Sequence, residues 1–179
     1  MKLGAFRAFI TGFYILMQLT SATAYMKFTN LKCANYDKSF LNFRKCGLKA
    51  LSRNKVALTV DIQLFQLPVN NISGNLVVYR KANGYHPFMI NITANFCQFM
   101  KNKKRIPFGK IIMDAVELYS NVNHSCPFNH DLIVKDLVLQ PEQLQSLPVP
   151  TGEYLVRILA KIYNVRKFKV DAYIQIVEE

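Results

Sequence analysis

The chain has 179 residues, 23 Lys+Arg against 11 Asp+Glu, a formal net charge of +12 and a hydrophobic fraction of 51%. That length favours one domain, and the hydrophobic content excludes an intrinsically disordered chain. No internal repeat or low-complexity tract occurs, which excludes solenoids, collagen-like chains and mucin-like stalks.

The first segment reads as an address. Lys2 and Arg7 precede an uncharged apolar run from Ala8 to Leu19, and Ala22-Thr23-Ala24 supplies the small-x-small pattern of a signal-peptidase site. The run is short of the roughly 20 residues that a spanning helix needs. A signal peptide over 1–24, cleaved before Tyr25, is expected, with a single-pass anchor as the alternative. The mature chain, 25–179, is then a single secreted domain with no further stretch of spanning length and no integral membrane span.

Beyond Tyr25 the elements follow in order. A strand is predicted around Phe28–Tyr36, carrying Cys33, with Cys46 downstream. Val56, Leu58, Val60, Ile62 and Leu64 alternate with polar residues, as a half-buried strand does. Asn70, Asn71, Ser73 and Gly74 mark a turn, Asn75–Lys81 a strand, and Asn83-Gly84 the strongest hairpin cue in the chain. Phe88, Ile90, Ile92, Ala94 and Phe96 then alternate with Asn91, Thr93 and Asn95. Period two gives way to helical spacing in Phe108–Ser120, where Ile111, Ile112, Ala115, Val116 and Tyr119 share one side. Its apolar stripe reads either as core or as a flap over a cavity. Further strands are predicted over Leu132–Leu139, Tyr154–Ile162 and Phe168–Ile176, the last two joined at Asn164-Val165-Arg166. Seven or eight antiparallel strands and one short helix, about 108–120, define a mainly β fold built as a two-sheet sandwich.

Three N-glycosylation sequons begin at Asn71, Asn91 and Asn123, and all four cysteines lie in the mature part. In an oxidising compartment an even count implies two disulfides. Four cysteines allow three pairings, and the cost of loop closure favours Cys33–Cys46 with Cys97–Cys126. His124, Cys126 and His130 are close enough in sequence to suggest a metal, but a disulfide would take the thiol, so no metal is expected.

Catalytic chemistry has little footing. The chain holds three histidines, His86, His124 and His130, none in a nucleophile or metal motif, and no phosphate-cradling glycine loop. No enzyme and no cofactor are expected. Basic residues do not interleave with aromatics in a nucleic-acid recognition pattern, so no nucleic-acid partner is expected either. Charge is uneven: residues 25–113 hold fifteen basic and two acidic side chains, residues 114–179 six and nine. Lys101, Lys103, Lys104 and Arg105 form a basic run, a candidate contact for an acidic surface partner or receptor.

Cys97, the segment His124-Ser125-Cys126-Pro127-Phe128, the following strand and the turn Leu147-Pro148-Val149-Pro150-Thr151-Gly152-Glu153-Tyr154 carry a family likeness. With early Cys33 and Cys46 the chain resembles a large insect family of small secreted proteins of unassigned function, related to the ML lipid-recognition domain. One departure is His130, where that family tends to have glycine. The resemblance implies an immunoglobulin-like sandwich whose sheets splay to hold a small hydrophobic ligand, a lipid, sterol or semiochemical, and for some members a chemosensory role. Candidate cavity residues are Phe88, Ile90, Ile92, Phe96, Ile112, Val116, Val156, Ile158, Ile162 and Ile174. The alternative is a filled sandwich acting as an extracellular protein-interaction module through its basic face.

Overall fold

The computed structural model describes residues 24–140, 142 and 149–178. The expected leader lies outside these residues except for Ala24, as do Leu147 and Pro148 of the proline–glycine turn. Eight strands form: β1 (Ala24–Asn35), β2 (Leu41–Ser52), β3 (Lys55–Leu64), β4 (Ile72–Ala82), β5 (Gly84–Asn95), β6 (Leu132–Leu137), β7 (Gly152–Ile162) and β8 (Val165–Glu178). Between β5 and β6 lie helices α1 (Phe96–Lys101) and α2 (Pro107–Glu117), with a 3-10 turn at Lys103–Arg105. Every strand pairing is antiparallel. One sheet has the order β1-β8-β7-β4-β5, the other β2-β3-β6. The fold is the expected two-sheet sandwich.

The inward faces carry the alternating residues. Leu58, Val60, Ile62 and Leu64 of β3 pack against Met26, Phe28, Ile162, Phe168 and Ile174 of the larger sheet, around fully buried Phe40, Leu41, Val69 and Phe128. Two disulfides close the structure in the expected pairing. Cys33–Cys46 joins β1 to β2 across the two sheets, and Cys97–Cys126 ties the start of α1 to the loop before β6. That loop is also zipped to the β3–β4 connection, with Val69 and Phe128 exchanging backbone hydrogen bonds of 2.9 Å. His130 does not occupy the left-handed region, so the loop has no need of glycine there.

Several expectations move. Strand β2 was not foreseen, because bulges at Phe43/Lys45 and Ala50/Ser52 break its alternation: Leu41, Phe43, Cys46 and Leu48 face inward at unequal spacing. The helix runs over 107–117 rather than 108–120, with Pro107 in the first turn and Lys110 bridged to Asp114. Phe96 is no longer a strand residue. The Asn95 side chain accepts the Gln98 N–H at 3.0 Å and starts α1, an N-cap whose cue is the Asn95–Gln98 spacing.

The last hairpin turns at Tyr163-Asn164, not at Asn164-Val165-Arg166: Ile162 pairs with Val165, and the two residues between them have φ of 52° and 64°. Two consecutive left-handed residues are what a tight hairpin following the strand twist requires. Asparagine visits this region at low cost, whereas alanine does not. Asn164→Ala is therefore expected to lower stability by about 1 kcal/mol, measurable as a reduced midpoint in chemical denaturation.

Candidate functional site

Pairing register assigns each side chain of the five-stranded sheet to a face. Tyr154, Val156, Ile158, Ala160 and Ile162 of β7 share the inward face with Arg80, Val78, Leu76, Gly74 and Ile72 of β4. Ile174, Ala172, Val170 and Phe168 of β8 continue that face on the other side of β7, and Ile92, opposite Leu76, continues it onto β5. At both ends it is closed: Tyr154 is 2% exposed, Ala160 4% and Ile162 0%. In the middle it is not. Ile158 is 40% exposed, although β7 is the central strand and the face is the one turned to the core. Leu76, Val78, Ile92, Val156, Val170 and Ala172 around it are only half-buried.

The cause is a mismatch in strand number. At about 4.8 Å per strand, a three-stranded sheet falls short of a five-stranded one by a strip about 10 Å wide. β1 packs on β2 and β3, so the shortfall falls toward β4 and β5, where α1 packs instead. An apolar strip is left incompletely covered.

Of the ten candidate residues, Phe88, Ile92, Val156 and Ile158 lie along this strip, and Ile158 is its most exposed member. Ile162 and Ile174 belong to the packed core, and Ile90 is buried at 6%. Phe96 and Val116 are half-buried against the core, and Ile112 is half-buried on α2. Leu76, Val78 and Arg80 escaped the sequence reading. Both faces of Asn75–Lys81 carry apolar residues, so alternation alone could not say which was inward.

Arg80 stands at the Tyr154 end of the strip. Its guanidinium lies 5.7 Å above the Phe88 ring, which in turn lies 5.8 Å from the Tyr154 ring. The Tyr154 hydroxyl donates to the Pro150 carbonyl at 2.6 Å, and burial pushes its pKa up. Elsewhere, a crevice of about 640 Å³ opens beside the Cys33–Cys46 bridge, lined by Leu31, Asn35, Lys38, Asn42, Phe43 and Phe65. It is open to solvent, has a mixed polar lining and touches none of the ten candidates, so the strip along Ile158 is the better match to a hydrophobic ligand.

The opposite face of the large sheet is structural. Asp171, 2% exposed, receives Arg157 through two hydrogen bonds of 2.7 and 2.9 Å and Lys169 at 3.1 Å. Arg157 also lies 5.3 Å over the Tyr79 ring. Asn91, on this outward face, is exposed, and so is Asn123 in the loop before Cys126. Asn71 is half-buried, its side-chain oxygen accepting from Asn95 at 3.2 Å.

A few of the excess basic residues of 25–113 meet acids of the second segment, Arg44 with Asp131 and Lys81 with Glu153 among them, while Lys167 takes Asp37 in the opposite sense. Within the basic run Lys103 is bridged to Glu117, while Lys101, Lys104 and Arg105 are exposed. His124 and His130 meet through their Nε2 atoms at 2.8 Å, but Cys126 is in a disulfide. Among the described residues no three His, Cys, Asp or Glu side chains gather as a metal-binding group.

Fold and strip together define a class: a disulfide-stapled antiparallel β-sandwich with an apolar strip left open between sheets of unequal size. Residues 74–156 match the family model described as a protein of unknown function, DUF1091. The matched segment runs from β4 through both helices and β6 into β7, and so contains most of the strip. No curated protein matches the chain.

Proposed function

We propose that the chain is a secreted, non-enzymatic carrier or sensor of a small hydrophobic ligand, a lipid or semiochemical, held between the two sheets. The observation that carries this reading is Ile158. In a filled sandwich the central residue of the central strand is among the most buried, and here it is the opening in the inward face. A ligand covering the strip gains about 25 cal/mol for each Å² of apolar surface removed from water, before the cost of association. The two disulfides suit an oxidising compartment, and no helix of the described residues is long and apolar enough to cross a membrane. The resemblance to ML-related insect proteins adds the splayed sandwich as precedent and a chemosensory role as the corresponding physiology.

The test uses glycosylated protein from a secretory host. Native protein extracted with organic solvent should release a co-purifying lipid detectable by mass spectrometry, and delipidated protein should enhance the fluorescence of N-phenyl-1-naphthylamine. Ile158→Asn is expected to weaken probe binding about tenfold while costing only about 1–2 kcal/mol of stability, because the side chain is already partly exposed. A protein that yields no lipid and enhances no probe is not a carrier.

A second reading, an extracellular interaction module, rests on exposed Lys101, Lys104 and Arg105 at the α1–α2 junction. Its mark is salt-sensitive binding to an acidic partner that survives Ile158→Asn and is lost when these three residues are neutralised.

A further inference from the structure

The chemistry at the Tyr154 end of the strip says which hydrophobic ligand fits. Of the arginines among the described residues, Arg80 and Arg157 are the half-buried ones. Arg157 has its carboxylate, Asp171, in bidentate contact. Among the described residues Arg80 meets no carboxylate within salt-bridge distance. Among the described residues its hydrogen-bond acceptor is the Thr151 carbonyl, at a long 3.4 Å. Glu153, the acid nearest to it along β7, sits on the opposite face of the sheet and is taken by Lys81 at 2.9 Å. Its contact with the Thr151 carbonyl lies on the exposed side, so the guanidinium is open to a ligand, and its planar fork suits a carboxylate or a phosphate oxygen pair.

Position makes this cation part of the strip. Arg80 and Tyr154 are paired across β4 and β7, which places both on the inward face. Phe88 lies beneath the guanidinium at 5.7 Å and fixes its position. His86, paired with Arg80 across β4 and β5, is exposed beside it. Val78 and Leu76 follow Arg80 along β4, and Leu76 is opposite Ile158. From Arg80 to Leu76 is four strand residues, about 13 Å, all of it apolar surface beyond the charge.

We infer that the ligand of the strip is a single-chain amphiphile with an anionic head, a long-chain carboxylate, its head held by Arg80 and its tail laid over Val78, Leu76 and Ile158. This inference rests on the carrier reading above and specifies the ligand class for the same site. A neutral hydrocarbon or ester would leave Arg80 unsatisfied, and a cationic amphiphile would be repelled by it.

The experiment compares palmitate, hexadecanol and hexadecyl phosphate, matched in chain length, as competitors of N-phenyl-1-naphthylamine on the delipidated, glycosylated protein. Palmitate should compete about tenfold better than hexadecanol, the worth of one charge-assisted contact. Arg80→Gln should erase that preference and leave hexadecanol unchanged, while Arg80→Lys should retain part of it. Hexadecyl phosphate outcompeting palmitate would overturn the carboxylate assignment in favour of a phosphate head. Equal competition by palmitate and hexadecanol in the unaltered protein overturns the anionic head and leaves the carrier reading standing. If none of the three competes and the probe does not bind, the carrier reading itself fails. The comparison in the unaltered protein needs no variant, so a poorly folding Arg80→Gln does not remove the test.

Discussion

Asp171→Ala should destabilise the protein by about 3 kcal/mol, the lower end of the range for breaking a buried ion pair. Asp171 is 2% exposed and is shared by Arg157 and Lys169, so its removal leaves two cations facing each other across β7 and β8. Both retain partial access to water, which holds the loss near that lower limit. Burial alone would raise the Asp171 pKa, but hydrogen bonds from Arg157 and Lys169 outweigh it and the net shift is downward. Asp37 is shifted the same way, to about 2, chiefly by its hydrogen bond to Lys167. A carboxyl whose folded pKa lies below its unfolded value of about 3.9 stabilises the fold above that value. The contribution is lost as pH falls through the folded pKa. Stability should therefore decline from about pH 4 toward pH 2, and the decline should be shallower in Asp171→Ala. Urea midpoints measured across that window check both statements, and an unchanged slope would remove Asp171 from the acid response.

Replacing Cys97 and Cys126 together by alanine should cost about 3.5 kcal/mol, or about 10 °C in Tm. The Cys33/Cys46 double replacement should cost about 3 kcal/mol. The order follows from loop length, 29 residues against 13, since a longer closed loop removes more freedom from the unfolded chain. Paired thermal melts decide it. If loss of Cys33–Cys46 is the more damaging, the bridge acts by docking the two sheets rather than by restricting the unfolded state.

Much of this molecule was legible in the residues. β3, β5, β7 and β8 alternate in hydrophobicity because one face of each turns to the apolar core, and period two is the trace of that arrangement. Where pattern and structure part, the reasons are local. β2 is an edge strand with two bulges, so Leu41, Phe43, Cys46 and Leu48 fall out of phase although all turn inward. The final turn was misplaced by one residue because Tyr163 is a poor cue for positive φ, and only its pairing partners show that it adopts one. α1 is short and takes its start from a side-chain cap at Asn95, in a segment that still looks like strand by hydrophobicity.

The site divides along the same line. Sequence placed Phe88, Ile92, Val156 and Ile158 on inward faces, and it could do no more, because alternation reports which side a residue takes and not whether anything covers it. Coverage is a property of two sheets together. Only their strand numbers, five and three, and the offset of the smaller one toward β1 uncover Ile158. Charge follows suit. The sequence determined a net excess of basic residues and its concentration in residues 25–113. The tertiary structure decided which of those charges are paired, by carrying acids from 114–179 onto Arg44, Lys81 and Lys103 while leaving Arg80 without one among the described residues. Secondary structure, the disulfide complement and the class of fold are encoded in short-range pattern, which a chain displays before it folds. An opening between sheets and an unpaired cation at its end are differences between surfaces brought together from distant parts of the chain, and they exist only once those surfaces meet.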